Sequence, residues 1–222
     1  MRAVQVKICG LNKPADADAV AAAGAQFAGL VFYAKSPRCV TLDQAASISA
    51  ALPPAVTKVA LVVNADDAVL AQIVAGAGVD MLQFHGAEPP ERVAEVKARF
   101  GLPVMKAVGV AEAADLAAID RYARVADWLL IDAKPPKSGA LPGGNGLTFD
   151  WRLIAGQRWS RPWMLAGGLT SDNVAAAIEA TNAPCVDVSS GVEAAPGEKD
   201  PALIAAFTAR ARSAAQTATT GV

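Results

Sequence analysis

Two side chains of this 222-residue chain could move protons and stand where a fold can aim them, the Cys9 thiol and the Asp132 carboxyl, and the His85 imidazole stands at a like position. Each closes a short apolar run, namely Gln5-Val6-Lys7-Ile8-Cys9, Leu129-Leu130-Ile131-Asp132 and Leu82-Gln83-Phe84-His85. Parallel α/β sheets keep their reacting groups at the carboxyl ends of strands, so a thiol at such an end is placed like a catalytic residue. The competing readings are structural. A lone cysteine also serves as a small buried hydrophobe, and a strand-end carboxylate also caps the turn that follows. His85 is the only histidine, so no histidine cluster is available to hold a metal.

Further groups extend this set. Arg38 follows Ser36-Pro37 and is either an ordinary solvated arginine or a carboxylate clamp, a task that suits a planar guanidinium. Lys7 and Lys106 read equally as ion-paired mouth residues or as catalysts. Two glycine-bearing strand ends, Ala166-Gly167-Gly168-Leu169 and Val188-Ser189-Ser190-Gly191, are either tight turns or a phosphate cradle of backbone N–H groups. The dinucleotide fingerprint GxGxxG is absent, so no dinucleotide is implied. Cys39 and Cys185 read as structural.

The elements that must position these groups alternate along the chain. Apolar runs predict strands over 4–9, 27–33, 58–63, 79–84, 103–108, 128–131, 163–166 and 185–188. Between them the pattern predicts helices over 12–24, 41–52, 64–76, 89–100, 112–122, 149–157, 171–181 and 201–212. Thr41 caps one helix and Pro53-Pro54 ends it, Gly24 stops another, and Pro89-Pro90 opens a third. Strands this apolar belong in a parallel sheet covered by helices. Eight βα units predict one closed (β/α)8 TIM barrel spanning 1–222, at the small end of the usual ~250 residues. An open doubly wound sheet is the alternative and suits eight even units less well. The irregular stretch 133–146 is long enough to be functional or disordered, and 217–222 reads as a frayed tail.

Alternate strand residues face a barrel's interior. If Cys9 points inward, Gln5 and Lys7 follow it, while Val4, Val6 and Ile8 face the helices. Asp132 brings Leu130 and Trp128 inward, His85 brings Gln83, and Asp187 brings Cys185 and Ser189. Polar groups thus gather at the carboxyl-end mouth, where a purely structural barrel would carry aliphatics.

Composition narrows the partners. A chain with 53% hydrophobic residues, 18% charged residues and a net charge of -1 gives no electrostatic case for nucleic acid. It holds no basic stripe for a membrane surface, no apolar run long enough to span one, and no apolar signal-peptide core. Three cysteines without zinc-type spacing fit a reduced, cytoplasmic protein. The glycine-bearing strand ends favour a small phosphorylated partner, and either a monomer or a homodimer is expected.

The motifs Lys7-Ile8-Cys9-Gly10, Phe32-Tyr33-Ala34-Lys35-Ser36-Pro37-Arg38 and Leu82-Gln83-Phe84-His85-Gly86 resemble those of the phosphoribosylanthranilate isomerase family of tryptophan biosynthesis. So do Leu129-Leu130-Ile131-Asp132, Gly143-Gly144-Asn145-Gly146, Leu165-Ala166-Gly167-Gly168-Leu169 and Val186-Asp187-Val188-Ser189-Ser190-Gly191-Val192-Glu193. The likeness runs over 7–200 in the family's order. Phe84 and Asn145 depart from its usual leucine and threonine. The resemblance implies a barrel of the ribulose-phosphate-binding type and an Amadori rearrangement of N-(5-phosphoribosyl)anthranilate. In it Asp132 is the general acid at the ribose ring oxygen and Cys9 the general base at C2. Arg38 would bind the anthranilate carboxylate, with Lys7, His85 and Asp187 as further substrate contacts. Gly144, Gly146, Gly167, Gly168, Ser190 and Gly191 would hold the phosphate, the Gly143 to Gly146 loop acting as a lid. Neither metal nor organic cofactor is implied. Competing functions are another sugar-phosphate barrel enzyme such as indole-glycerol-phosphate synthase, or a non-catalytic phosphate-binding barrel. The synthase's lysine acid is replaced here by a strand-end cysteine, and binding phosphate alone requires neither Cys9 nor Asp132.

Overall fold

Parallel strands close on themselves: β1 (Gln5–Cys9) pairs with β2 (Phe27–Phe32) on one side and with β8 (Cys185–Val188) on the other. Between them run β3 (Thr57–Val62), β4 (Met81–Phe84), β5 (Val104–Val110), β6 (Trp128–Ala133) and β7 (Trp163–Leu165), giving an eight-stranded barrel in sequence order. The structure, a computed structural model, describes residues 3–134, 143–144 and 146–217. Most of the 133–146 stretch, with Asn145, and the expected tail beyond 217 lie outside these residues.

Local chemistry explains where the helices begin and end. In α2 (Leu42–Ala51) the Thr41 hydroxyl accepts from Gln44 N–H, and the Gln44 side chain accepts from Thr41 N–H. α1 (Pro14–Ala23) ends at Gly24, whose φ of 71° suits glycine. α3 (Asp67–Gly76) begins later than the predicted 64, because Asn64 is left-handed and Asp66 provides the cap, accepting from Val69 N–H at 2.9 Å. α4 is Pro90–Phe100, and α5 (Leu116–Ala123) is preceded by a 3-10 turn at Ala113–Asp115. α6 (Val174–Thr181) starts after Asn173 folds back onto Thr170 N–H, and α7 (Pro201–Thr217) outruns its predicted end.

Two departures are larger. The helix predicted over 149–157 is only a 3-10 turn at Trp151–Leu153: Asp150 caps Arg152 N–H, and Gly156 takes a φ of 73° that ends regular winding. Seven α-helices therefore occur among the described residues instead of eight. After β8 comes an unpredicted hairpin, β9 (Glu193–Ala195) with β10 (Glu198–Lys199), turning through Gly197.

The core has two layers, and strand parity separates them as expected. Val6, Ile8, Leu30, Ala60, Leu82 and Ile131 face the helices. Phe27, Val59, Met81, Met105, Leu130 and Met164 fill the interior. Each fully buried leucine or isoleucine contributes about 1.5–3 kcal/mol. Because the interior below the mouth is apolar, the polar side chains above it sit on a dry floor.

Candidate active site

Cys9 closes β1, Asp132 lies near the end of β6, His85 follows β4, and Asp187 sits on β8. With Arg38 and Gly143 they line one cavity at the carboxyl-end mouth. Residues from opposite sides of the barrel thus meet because each strand delivers its last inward side chain to the same ring.

Lys7 lies two residues below Cys9 on the same inward face and has no exposed surface. Its Nζ donates to Asp187 Oδ1 at 2.9 Å. Burial works to lower the Lys7 pKa, but Asp187, joined by Cys9 when that group ionises, outweighs it and the net direction is up. Cys9 behaves otherwise than a thiol simply activated by a neighbouring lysine. Burial pushes its pKa up, Asp187 adds to that, and Lys7 and Lys199 only partly oppose it. The resting group is therefore the thiol. Gly29 on β2 lies against this sulfur: a Cβ there would stand 2.7 Å from Sγ.

Asp132 divides its two carboxyl oxygens between the turn and the cavity. Oδ1 accepts from Ala133 N–H at 2.8 Å, which is the turn-capping contact. Oδ2 faces the cavity, 3.4 Å from His85 Nε2. Gly143 covers the pair so closely that any side chain at 143 would run into the His85 ring and stand 2.9 Å from Asp132 Oδ2.

Arg38 is buried, which removes the reading of a solvated arginine. Its Nε and Nη2 donate to Glu193 Oε1 and Oε2 at 2.7 and 2.8 Å, so the fork already grips a carboxylate of the β9–β10 hairpin. Nη1 turns toward Gly144, where an added Cβ would stand 2.7 Å away. Lys199 Nζ joins Glu193 at 2.6 Å and also donates to Ser189 O at 3.0 Å. Burial alone would raise the Glu193 pKa, and Arg38 and Lys199 together bring it below the usual carboxylate value. The Lys199 pKa is lowered by burial, which Glu193 opposes.

A second cavity adjoins the first through Asp132, Gly143, Gly144, Asp187 and Ser189. Gly144, Gly146, Gly167, Gly168 and Ser190 line it, as the phosphate reading requires. Gly191 stands behind this wall, and a Cβ there would run into Leu169 O, so its smallness lets the seventh and eighth loops touch. The 3-10 turn Ser190–Val192 follows β8, and the leading N–H groups of such a turn have no intrahelical acceptor.

The remaining candidates fall elsewhere. Lys106 is ion-paired but points outward from β5, away from the mouth cavity. Cys185 is buried below Asp187, whereas Cys39 is exposed instead of core-packed. Among the described residues, no three His, Cys, Asp or Glu side chains group to hold a metal ion. Sequence reasoning missed Glu193 as the partner of Arg38, and Lys199 as the second cation on Glu193, since an ion pair of this kind leaves no local pattern. Gln83 was legible only as an inward residue.

Comparisons with known proteins converge on one family. A family model for N-(5'phosphoribosyl)anthranilate (PRA) isomerase matches residues 6–210. An N-(5'-phosphoribosyl)anthranilate isomerase from Cereibacter sphaeroides is 61% identical over 212 residues, covering 96% of this chain and all 100% of the relative. The crystal structure of phosphoribosyl anthranilate isomerase from Thermotoga maritima superimposes with a TM-score of 0.85 at 37% identity, covering 95% of this chain and 99% of that one. A phosphoribosyl anthranilate isomerase in complex with reduced 1-(o-carboxyphenylamino)-1-deoxyribulose 5-phosphate gives a TM-score of 0.82 at 35% identity, with coverages of 95% and 99%.

Proposed function

This chain belongs to the N-(5'-phosphoribosyl)anthranilate isomerase family, and we propose that Cys9 and Asp132 divide the acid–base work of its reaction. The enzyme converts N-(5'-phosphoribosyl)anthranilate into 1-(2-carboxyphenylamino)-1-deoxyribulose 5-phosphate, an Amadori rearrangement in tryptophan biosynthesis. Protonated Asp132 gives its proton to the ribose ring oxygen, the C1–O bond breaks, and the nitrogen lone pair forms the Schiff base. The Cys9 thiolate then takes the C2 proton, leaving an enolamine that becomes the ketone as C1 gains a proton and the C2 hydroxyl loses one. Electrons move only within the substrate, so neither metal nor cofactor enters the scheme. The observation that carries this assignment is the presence of thiol and carboxyl in one cavity beside a glycine-lined second cavity.

Because the resting Cys9 is a thiol, turnover passes through a minor thiolate fraction that Lys7 stabilises and Asp187 moderates. Arg38 Nη1 meets the anthranilate carboxylate, with Glu193 holding the guanidinium from behind. The glycines and Ser190 of the second cavity take the phosphate, with Gly191 keeping their loops together. His85 keeps Asp132 Oδ2 oriented toward the ring oxygen. The same reading has a single-domain chain that works as a monomer or homodimer, since every residue invoked lies on one chain. It assigns the cytoplasm as the setting, in keeping with three free cysteines.

Loss of the fluorescence of the anthranilate adduct with purified protein tests the activity, and inorganic phosphate should compete. Asp132→Asn should lower kcat by about 10²- to 10⁴-fold while still binding product. Unchanged turnover in that variant would remove Asp132 as the acid.

A further inference from the structure

One group in the catalytic cavity is left without an assignment. Gln83 has no exposed surface, and among the described residues neither its side-chain nitrogen nor its side-chain oxygen has a hydrogen-bond partner. It stands on β4 in register with Leu61 of β3 and Met105 of β5, neither of which offers a polar side chain. Met81, Met105, Leu130 and Met164 make the interior around and below it apolar. It also belongs to the cavity wall that holds Cys9, His85 and Asp132.

An amide buried without partners destabilises a fold, and methionine would fill much the same volume with no polar atom to satisfy. We infer that Gln83 is a substrate-contacting residue whose amide is satisfied by a hydroxyl of the phosphoribosyl moiety next to the carbons being rearranged. The two orphaned atoms choose this partner. One is a donor and the other an acceptor, and a hydroxyl serves both. Phosphate and carboxylate oxygens only accept, and the aromatic ring carries neither function, so each would leave the amide oxygen unpaired. The terminal amide torsion is broad, so a small rotation turns either atom to the cavity. When C2–OH becomes C2=O, the amide N–H can keep donating to the same oxygen. This inference rests on the proposed function in taking the cavity as the sugar-phosphate site.

Gln83→Met in the full chain tests it, with inorganic phosphate and the reduced 1-(o-carboxyphenylamino)-1-deoxyribulose 5-phosphate analogue as probes. The free variant should melt at or above the wild-type temperature. Its analogue affinity and kcat/KM should each fall about tenfold or more, the loss of one buried hydrogen-bonded contact, with phosphate affinity unchanged. A lowered melting temperature, retained analogue affinity or kcat/KM, or a parallel loss of phosphate affinity would each overturn the inference. Wild-type protein labelled with [15N]glutamine reads the same contact without any substitution. The Gln83 side-chain N–H resonances should shift, and their solvent exchange slow, with analogue and not with phosphate; unmoved resonances would overturn it. A wild-type protein that neither turns over N-(5'-phosphoribosyl)anthranilate nor binds the analogue would sink the proposed function and this inference with it.

Discussion

Two buried lysines on opposite faces of one sheet make almost the same contact and serve different ends. Lys7 on β1 meets Asp187 at 2.9 Å, and Lys106 on β5 meets Glu88 at 2.8 Å. Lys7 points into the barrel, where its second partner is the Cys9 sulfur, and its pKa is driven up against burial by Asp187 and Cys9. Lys106 points out toward α4 and α5, with Tyr122 as a ring neighbour, and donates to Gly86 O at 2.6 Å. Glu88 in turn accepts from Asn64 N–H and Gly86 N–H, so this second pair braces the loops after β3 and β4. Burial lowers the Lys106 pKa, and Glu88 does not restore it. A buried ion pair is thus neutral as to function. Strand parity decides whether its field reaches a reacting group or only a loop.

Replacing each lysine by methionine should therefore give crossed outcomes. Lys106→Met leaves Glu88 charged and buried with one partner gone, a loss of roughly 3–5 kcal/mol in stability, while kcat of the folded fraction stays near wild type. Lys7→Met should cost less stability, because Asp187 borders the open cavity. It should lower kcat at least about tenfold by removing a cation from the thiolate. Denaturant melts and steady-state rates on both variants check this, and a shared profile would break the comparison.

A smaller effect sharpens it with a third buried pair. Glu193 has a lowered pKa in the folded protein, so its contribution is present above the unfolded carboxylate value of about 4.3 and is lost as pH falls through the folded value. Glu193→Gln should be less stable than wild type at neutral pH, and the gap should close on acidification. Melting temperatures from pH 7 down to pH 3 test the sign. A constant gap would mean that Arg38 and Lys199 do not depend on the carboxylate charge.

Much of this was legible in the residues. Strands buried on both faces read as apolar runs, and their parity placed Cys9, Lys7, Gln83, His85, Asp132 and Asp187 on the inside. The glycine-bearing ends at Gly167-Gly168 and Ser190-Gly191 were visible because close backbone approach requires small residues. Other features had no local trace. Trp151–Leu153 carries enough apolar pattern to resemble a helix, and Gly156 cuts it to one turn. The hairpin at Glu193–Lys199 is too short for any period to register. Arg38 meets a partner 155 residues away, which no window along the chain can report. The lysine beside Cys9 was visible, but the desolvation that outweighs it depends on the closed barrel.

In the proposed mechanism the Cys9 thiolate takes the C2 proton. Steady-state turnover of Cys9→Ser, with folding verified by circular dichroism and binding by product titration, tests it most directly. A hydroxyl is scarcely ionised at neutral pH, so kcat should fall by about 10²- to 10⁴-fold with product affinity retained. A folded Cys9→Ser protein that turns over substrate at a near-normal rate would contradict it.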